Sequence, residues 1–139
     1  MEGFIVNRSE IIREVLNIRK EDYRYGVAKT NVDRVELNEL VLAGLFDLEQ
    51  SHHEGPKNKE FYDFINKYED RDIELQLLVI DPRRDDFRIC VCGIRTKTEY
   101  MDINTPEDKE FFKSFVGLTT KGHSNLHETK DTVAYYWYD

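Results

Sequence analysis

Apolar positions recur along this chain in two periods, and the switches between them mark its elements. Phe61, Phe64, Ile65 and Tyr68 fall at i, i+3, i+4 and i+7, the spacing that lays one apolar stripe along a helix. Ile11, Ile12, Val15, Leu16 and Ile18 give a similar stripe over 8–19, introduced by Asn7 and Glu10 at capping-box spacing. Asp33 and Glu36 repeat that spacing ahead of Val35, Leu37, Leu40, Val41, Leu42, Leu45, Phe46 and Leu48, which predicts a helix over 34–50. Its apolar residues cover most of the circumference, as in a central helix buried on more than one side. Val35, Leu37, Val41, Ala43 and Leu45 also fit a two-residue period, and length decides for helix. Thr105, Pro106, Glu107 and Asp108 start a fourth helix: a cap, a proline in the first turn and two acids at the positive helix end. Phe111, Phe112, Phe115 and Val116 are its buried stripe, and Gly117 is the expected stop.

The two-residue period governs the rest. The apolar runs 73–80 and 87–94 flank Asp81, Pro82, Arg83, Arg84, Asp85 and Asp86, where the proline presets a turn, so the pair reads as an antiparallel hairpin. Both runs are apolar on both faces near their centres, which predicts middle strands of a covered sheet. Weak alternation over 21–29 predicts an edge strand, and 97–103 a further short one. Phe4, Ile5 and Val6 form a short apolar start, and 118–131, rich in Thr, Lys, Gly, His, Ser and Asn, reads as a long mobile loop. In the last strand, 132–138, Val133, Tyr135 and Trp137 share one face and Ala134, Tyr136 and Tyr138 the other. The order β-α-β-α-α-β-β-β-α-β predicts a single α+β domain, a mainly antiparallel sheet with about four helices packed on it, consistent with 139 residues.

Charge changes the picture more than composition does. Twenty basic against 28 acidic side chains give a formal net charge of −8. Up to Asp72 there are 11 basic and 16 acidic residues and beyond it 9 and 12, so both halves are acidic. Nucleic acid and anionic membranes need a basic surface, so direct binding to either is not expected. An acidic surface suits a basic protein partner. No apolar run approaches the roughly 20 residues of a membrane span, and no basic leader with an apolar core opens the sequence, so a cytoplasmic protein is expected.

Candidate chemistry is sparse. Cys90 and Cys92, two apart on a strand, share a face, cannot form an ordinary disulfide with each other and read as small buried hydrophobes. His52 and His53 lie in one loop, His123 and His127 in another. If the loops met, these side chains could hold zinc or share a proton, but their spacing gives no metal signature; no metal and no cofactor is expected. His127 and Thr129 match one half of the His-x-Thr pair of two-histidine phosphoesterases; the second half is missing, and one histidine cannot be both general acid and general base. Neither a Gly-x-Ser-x-Gly elbow nor a phosphate-cradling glycine loop is present.

The remaining candidates are binding groups. Arg83 and Arg84, bracketed by Asp81, Asp85 and Asp86, are either a self-neutralised turn or, with Arg95, a set of guanidinium forks for a partner's carboxylate or phosphate. Tyr136 and Tyr138, opposite in face to Tyr135 and Trp137, are candidate interface anchors. No motif places the chain in a known family. In size and charge alone it resembles the short acidic proteins that occupy an enzyme: immunity proteins, nuclease inhibitors and DNA mimics. The sequence thus leads to a non-enzymatic binding protein, an acidic inhibitor or immunity-type or anti-defence protein, with Arg83, Arg84, Arg95, Tyr136, Tyr138, His123 and His127 as candidate contacts. The alternative is a small-molecule or nucleotide binder, possibly an enzyme, built from the loop histidines and hairpin arginines.

Overall fold

The computed structural model describes residues 7–137. Five antiparallel strands, β1 (Val27–Val32), β2 (Ile73–Ile80), β3 (Ile89–Lys97), β4 (Asn125–Glu128) and β5 (Thr132–Tyr136), form one sheet in the order β1-β2-β3-β5-β4. With four helices, α1 (Arg8–Leu16), α2 (Arg34–Leu42), α3 (Asn58–Lys67) and α4 (Pro106–Thr119), this is the expected α+β architecture. No described helix is long and apolar enough to cross a membrane.

The helices send their buried residues to one face of the sheet. Ile12 and Leu16 of α1, Leu37 and Leu40 of α2, Phe61, Phe64 and Ile65 of α3, and Phe111, Phe115 and Leu118 of α4 join a core with Ile73, Leu75, Leu77 and Val79 of β2. Ile89, Val91 and Ile94 of β3, Ala28 and Val32 of β1, Val133, Trp137, and Ile18, Leu45, Phe46 and Tyr68 from the connections complete it. β2 and β3 lie inside the sheet, as expected of covered middle strands, and the second face is buried too: Ile80, Cys90, Cys92 and Ala134 are buried there, outside the core that the helices join. The cover there comes from side chains of the sheet and, at Cys90, from the loop at Ser51, whose carbonyl receives the thiol at 3.6 Å. Gln76 receives the Cys92 thiol at 3.3 Å, and the Tyr136 ring lies across Gly93, where a Cβ would come within 2.4 Å of it. A bulge between Gln76 and Leu77 puts Cys92 on that face without reversing Val91 and Ile94.

Several boundaries differ from those the sequence predicts. Asn17, left-handed at φ 57°, caps α1 directly after the buried Leu16, so 17–19 are not helical. Residues 20–22 form a 3-10 turn, and Tyr25 and Gly26, both at positive φ, make the tight turn from which β1 starts. β1 therefore lies later than 21–29. Gly44, at φ 75°, follows the end of α2, which stops at Leu42 instead of reaching Gln50. It is not a central helix: Val35 is exposed and Leu42 is 89% exposed. Residues 98–101 continue β3 as a 3-10 turn and not as a new strand. Gly117 lies inside α4, open to space, and the chain reverses instead near Gly122 at φ 67°. The long loop expected over 118–131 contains β4, an ordered partner for β5. Phe4, Ile5, Val6 and Tyr138 lie outside the described residues.

Candidate functional site

Pairing of β2 with β3 brings two acidic segments together. Ile73 lies opposite Thr96 and Glu74 opposite Arg95, so residues 69–74, which lead into β2, meet residues 97–110, which follow β3. These two segments hold Glu69, Asp70, Asp72 and Glu74, then Glu99, Asp102, Glu107, Asp108 and Glu110, against three basic residues, Arg71, Lys97 and Lys109. The carboxylates of Asp70, Asp102 and Glu107 make no ion pair with a described residue. Ile103, between Asp102 and Asn104, is 50% exposed on this end of the molecule.

The scaffold under these charges is fixed. Arg71 pairs with Asp108 at 2.8 Å and lies 4.9 Å from the ring centroids of both Tyr100 and Phe111. The Tyr100 hydroxyl accepts from the Asp72 backbone N–H at 3.0 Å, and Thr96 Oγ1 donates to the Asp72 carbonyl at 2.7 Å. Thr105 caps α4 by accepting from the Asp108 N–H at 3.1 Å. The Arg71 hydrogen bond holds the Asp108 carboxyl below its usual range, and Lys67 does the same for Glu110. A surface with surplus carboxylates on a rigid base is suited to cations presented from outside, since little ordering remains to be done on binding.

The residues singled out from the sequence fall in three places. Arg95, His127 and Tyr136 come together on the second face: Arg95, Ala134 and His127 form one cross-strand row, and Tyr136 meets His127 edge to face at 5.1 Å. Arg95 is bound by Glu74. Beside it a cleft of about 510 Å³ is lined by Glu74, Arg95, Lys97, Glu99, Lys130 and Asp131 among others. Arg83 and Arg84 lie at the far end of the sheet, each with both arms of its guanidinium on a carboxylate of the same turn, Asp81 and Asp86 respectively. Arg83 brings the Asp81 carboxyl down to about 2.

The third place is the meeting of the two histidine loops. Residues 51–57 and 120–124 do converge: Gly122 lies so close to the Glu54 carbonyl that a Cβ would stand 2.7 Å from it. Trp137 is wedged at this junction, its indole N–H donating to the Lys121 carbonyl at 2.7 Å. His52 and His53 meet edge to face at 4.4 Å, and His123 is exposed. Among the described residues no group of three or more His, Cys, Asp or Glu is arranged to hold a metal ion. Burial pushes the Cys92 thiol up to about 11 and raises Cys90 as well, so neither is a ready thiolate at neutral pH.

Comparison with protein-family models, with curated proteins and with solved structures gave no significant match to any. The site therefore rests on geometry alone.

Sequence reasoning did not single out Asp70, Asp102, Ile103 and Glu107. Counting charge by halves of the chain dilutes a cluster assembled from both. The signal lay in the hairpin: once 73–80 is paired with the strand after it, the segments outside that pair must meet.

Proposed function

We propose that this chain is a non-enzymatic protein-binding domain that occupies a basic surface of its partner, in the manner of an acidic inhibitor or an immunity or anti-defence protein. The observation that carries the reading is the acidic end: of the nine carboxylates in 69–74 and 97–110, six pair with Arg34, Lys67, Arg71, Arg95 or Lys97, Asp70, Asp102 and Glu107 pair with no described residue, and Ile103 beside Asp102 is exposed. Charged groups in such an arrangement steer a cationic partner and fix its register, and an exposed apolar residue among them supplies an anchor. The same end repels phosphate, so direct binding of nucleic acid is not part of the proposal. Two buried, unpaired cysteines suit the reducing cytoplasm proposed for it.

The experiment is capture from an extract of the source cells on the immobilised chain, in parallel with the Glu99→Lys, Asp102→Lys, Glu107→Lys variant. Proteins of high isoelectric point retained by the native chain, released by salt and lost from the variant support the reading. Equal retention on both columns, or release that ignores salt, contradicts it.

A second reading has one observation in its favour, the cleft beside Arg95, whose volume of about 510 Å³ lies in the range of small-molecule sites. Its three cations, Arg95, Lys97 and Lys130, would serve an anionic metabolite or nucleotide. Arg95 and Lys97 already face Glu74, Asp72 and Glu99, however, so such a ligand has to displace existing pairs. Thermal shifts with nucleotides and sugar phosphates test it; a shift abolished by Arg95→Ala would favour this reading over the first.

A further inference from the structure

β4 is an edge strand, and its outer backbone positions can be assigned. Along β5, the Asp131 carbonyl accepts from Thr98 N–H and the Trp137 N–H donates to the Cys92 carbonyl, so the odd-numbered residues there bond to the β3 side. The even-numbered ones bond to β4, as the Thr129 N–H on the Thr132 carbonyl at 2.9 Å shows. Bonded and non-bonded pairs alternate in an antiparallel ladder, so Asn125 and His127 turn their backbone inward, and Leu126 and Glu128 turn theirs outward. Among the described residues nothing pairs with that outer edge.

The guards on this edge are its four-residue length and the charge of Glu128. Asn125, Leu126, His127 and Glu128 include neither lysine nor proline, and no bulge interrupts their register with β5. β1, the opposite edge, carries Lys29 and lies against α2. Ser124 ties the start of β4 to α4 through a 2.8 Å bond to the Thr119 carbonyl. At its other end Thr129 Oγ1 bonds Thr132 Oγ1 at 2.8 Å and accepts from the Thr132 N–H at 3.0 Å. A strand arriving here pays little to order the edge it joins.

The side chains say what kind of strand. Leu126 and Glu128 oppose Tyr135 and Val133 and so project to the helix face of the sheet. Leu126 is 51% exposed, and Val116 on α4, next to the Phe115 that meets Tyr135, is exposed too. Glu128 is exposed and makes no ion pair with a described residue. Directly opposite residues on one face interact, so the complement is an apolar residue against Leu126 and a cation against Glu128, two positions apart. The turn after β4 is hydrogen-bonded to Thr98, which places the edge beside the acidic end. A second copy offers Val27 and Lys29 two apart on its β1 edge, but its net charge of −8 sets the two chains against each other, so a basic partner is the favoured occupant.

We propose that the basic partner docks by β-strand addition, contributing an extended segment with an alternating apolar-x-basic pattern that pairs with β4 through the backbone of Leu126 and Glu128. This rests on the reading of a basic protein partner. The test is amide hydrogen exchange followed by NMR on the full chain, with a capped peptide Thr-Val-Thr-Lys-Thr-Val-Thr-Lys and a twin in which Glu replaces both Lys. The Lys peptide should slow exchange at Leu126 and Glu128 at least tenfold, the Glu twin should bind at least tenfold more weakly, and Glu128→Lys should reverse that preference. Peptide contacts confined to Glu99, Asp102 and Glu107, with Leu126 and Glu128 still exchanging fast, would overturn strand addition and leave the basic-partner reading standing. Failure of the Lys peptide to bind at millimolar concentration would overturn strand addition too, while retention of basic proteins on the column reports separately on the broader reading. Protection of both amides without peptide, with a doubled molecular mass, would show that the occupant is a second copy and overturn it as well.

Discussion

Asn58 does for Val91 what a neighbouring strand would do. Its Oδ1 accepts the Val91 backbone N–H at 3.0 Å while its Nδ2 donates to the Ile89 carbonyl at 2.8 Å and to the Asp47 carbonyl at 2.8 Å. β5 pairs with β3 from Gly93 onward, so the first half of β3 would otherwise present bare backbone to the core. The fully buried amide closes that gap.

Asn58→Ala is expected to destabilise the fold by about 2–4 kcal/mol, because it strands a buried N–H and two carbonyls at once. Asn58→Asp should also be costly, since a carboxylate can accept from Val91 but cannot donate to Ile89. Urea unfolding of the two variants measures both. Native stability in either would remove Asn58 from this role.

Trp137 and Tyr136 are neighbours with different tasks. Trp137 is buried, stacks edge to face on Phe61 at 5.4 Å and carries the junction of the two histidine loops. Trp137→Ala should cost on the order of 3–5 kcal/mol. Tyr136 is half-buried over Gly93, so Tyr136→Ala should cost less, on the order of 1 kcal/mol. Gly93→Ala should clash with the Tyr136 ring, and the double variant Gly93→Ala, Tyr136→Ala should be more stable than the sum of the single losses. Additive losses in thermal melts would show that the ring does not rest on the glycine.

Elements with a single stripe or a strong cap, such as α3 and the start of α4, were legible because local pattern and tertiary burial agree. α2 was overextended because apolar residues on all sides look alike whether they are buried, as Leu37 and Leu40 are, or exposed, as Leu42 is. β4 was missed because all four of its residues are exposed and polar turn residues flank it; only pairing with β5 makes it a strand. The even-handed burial of Tyr135 and Tyr136 likewise departs from the alternation of Val133 and Trp137, because the Tyr136 face is covered by its own sheet. Of the candidate site, the sign of the charge was legible. Its concentration at one end was not, since that depends on register.

The pH dependence of stability has a definite sign at two groups. The Arg83 guanidinium holds Asp81 at about 2, below the ordinary 3.8, so this pair stabilises the fold above about pH 4, and its contribution is lost as pH falls towards 2. Arg83→Gln should raise the Asp81 value in a carboxyl NMR titration and flatten the acid limb. Burial, with the Asp81 carboxylate adding to it, pushes the Tyr23 hydroxyl up to about 12 from 10.0, so stability should fall as pH rises through that interval. Tyr23→Phe should remove the alkaline limb; an unchanged limb would assign it elsewhere.

The acidic end that carries Ile103 is the proposed binding surface. It is tested most directly by isothermal titration of the purified basic partner against the native chain and the Glu99→Lys, Asp102→Lys, Glu107→Lys variant at two salt concentrations. Native affinity should weaken as salt rises, the variant should bind at least a hundredfold more weakly at low salt, and Ile103→Ala should lose about tenfold on its own, or about 1.4 kcal/mol. Undiminished affinity of the charge-reversed variant, with its fold intact by circular dichroism, would contradict it.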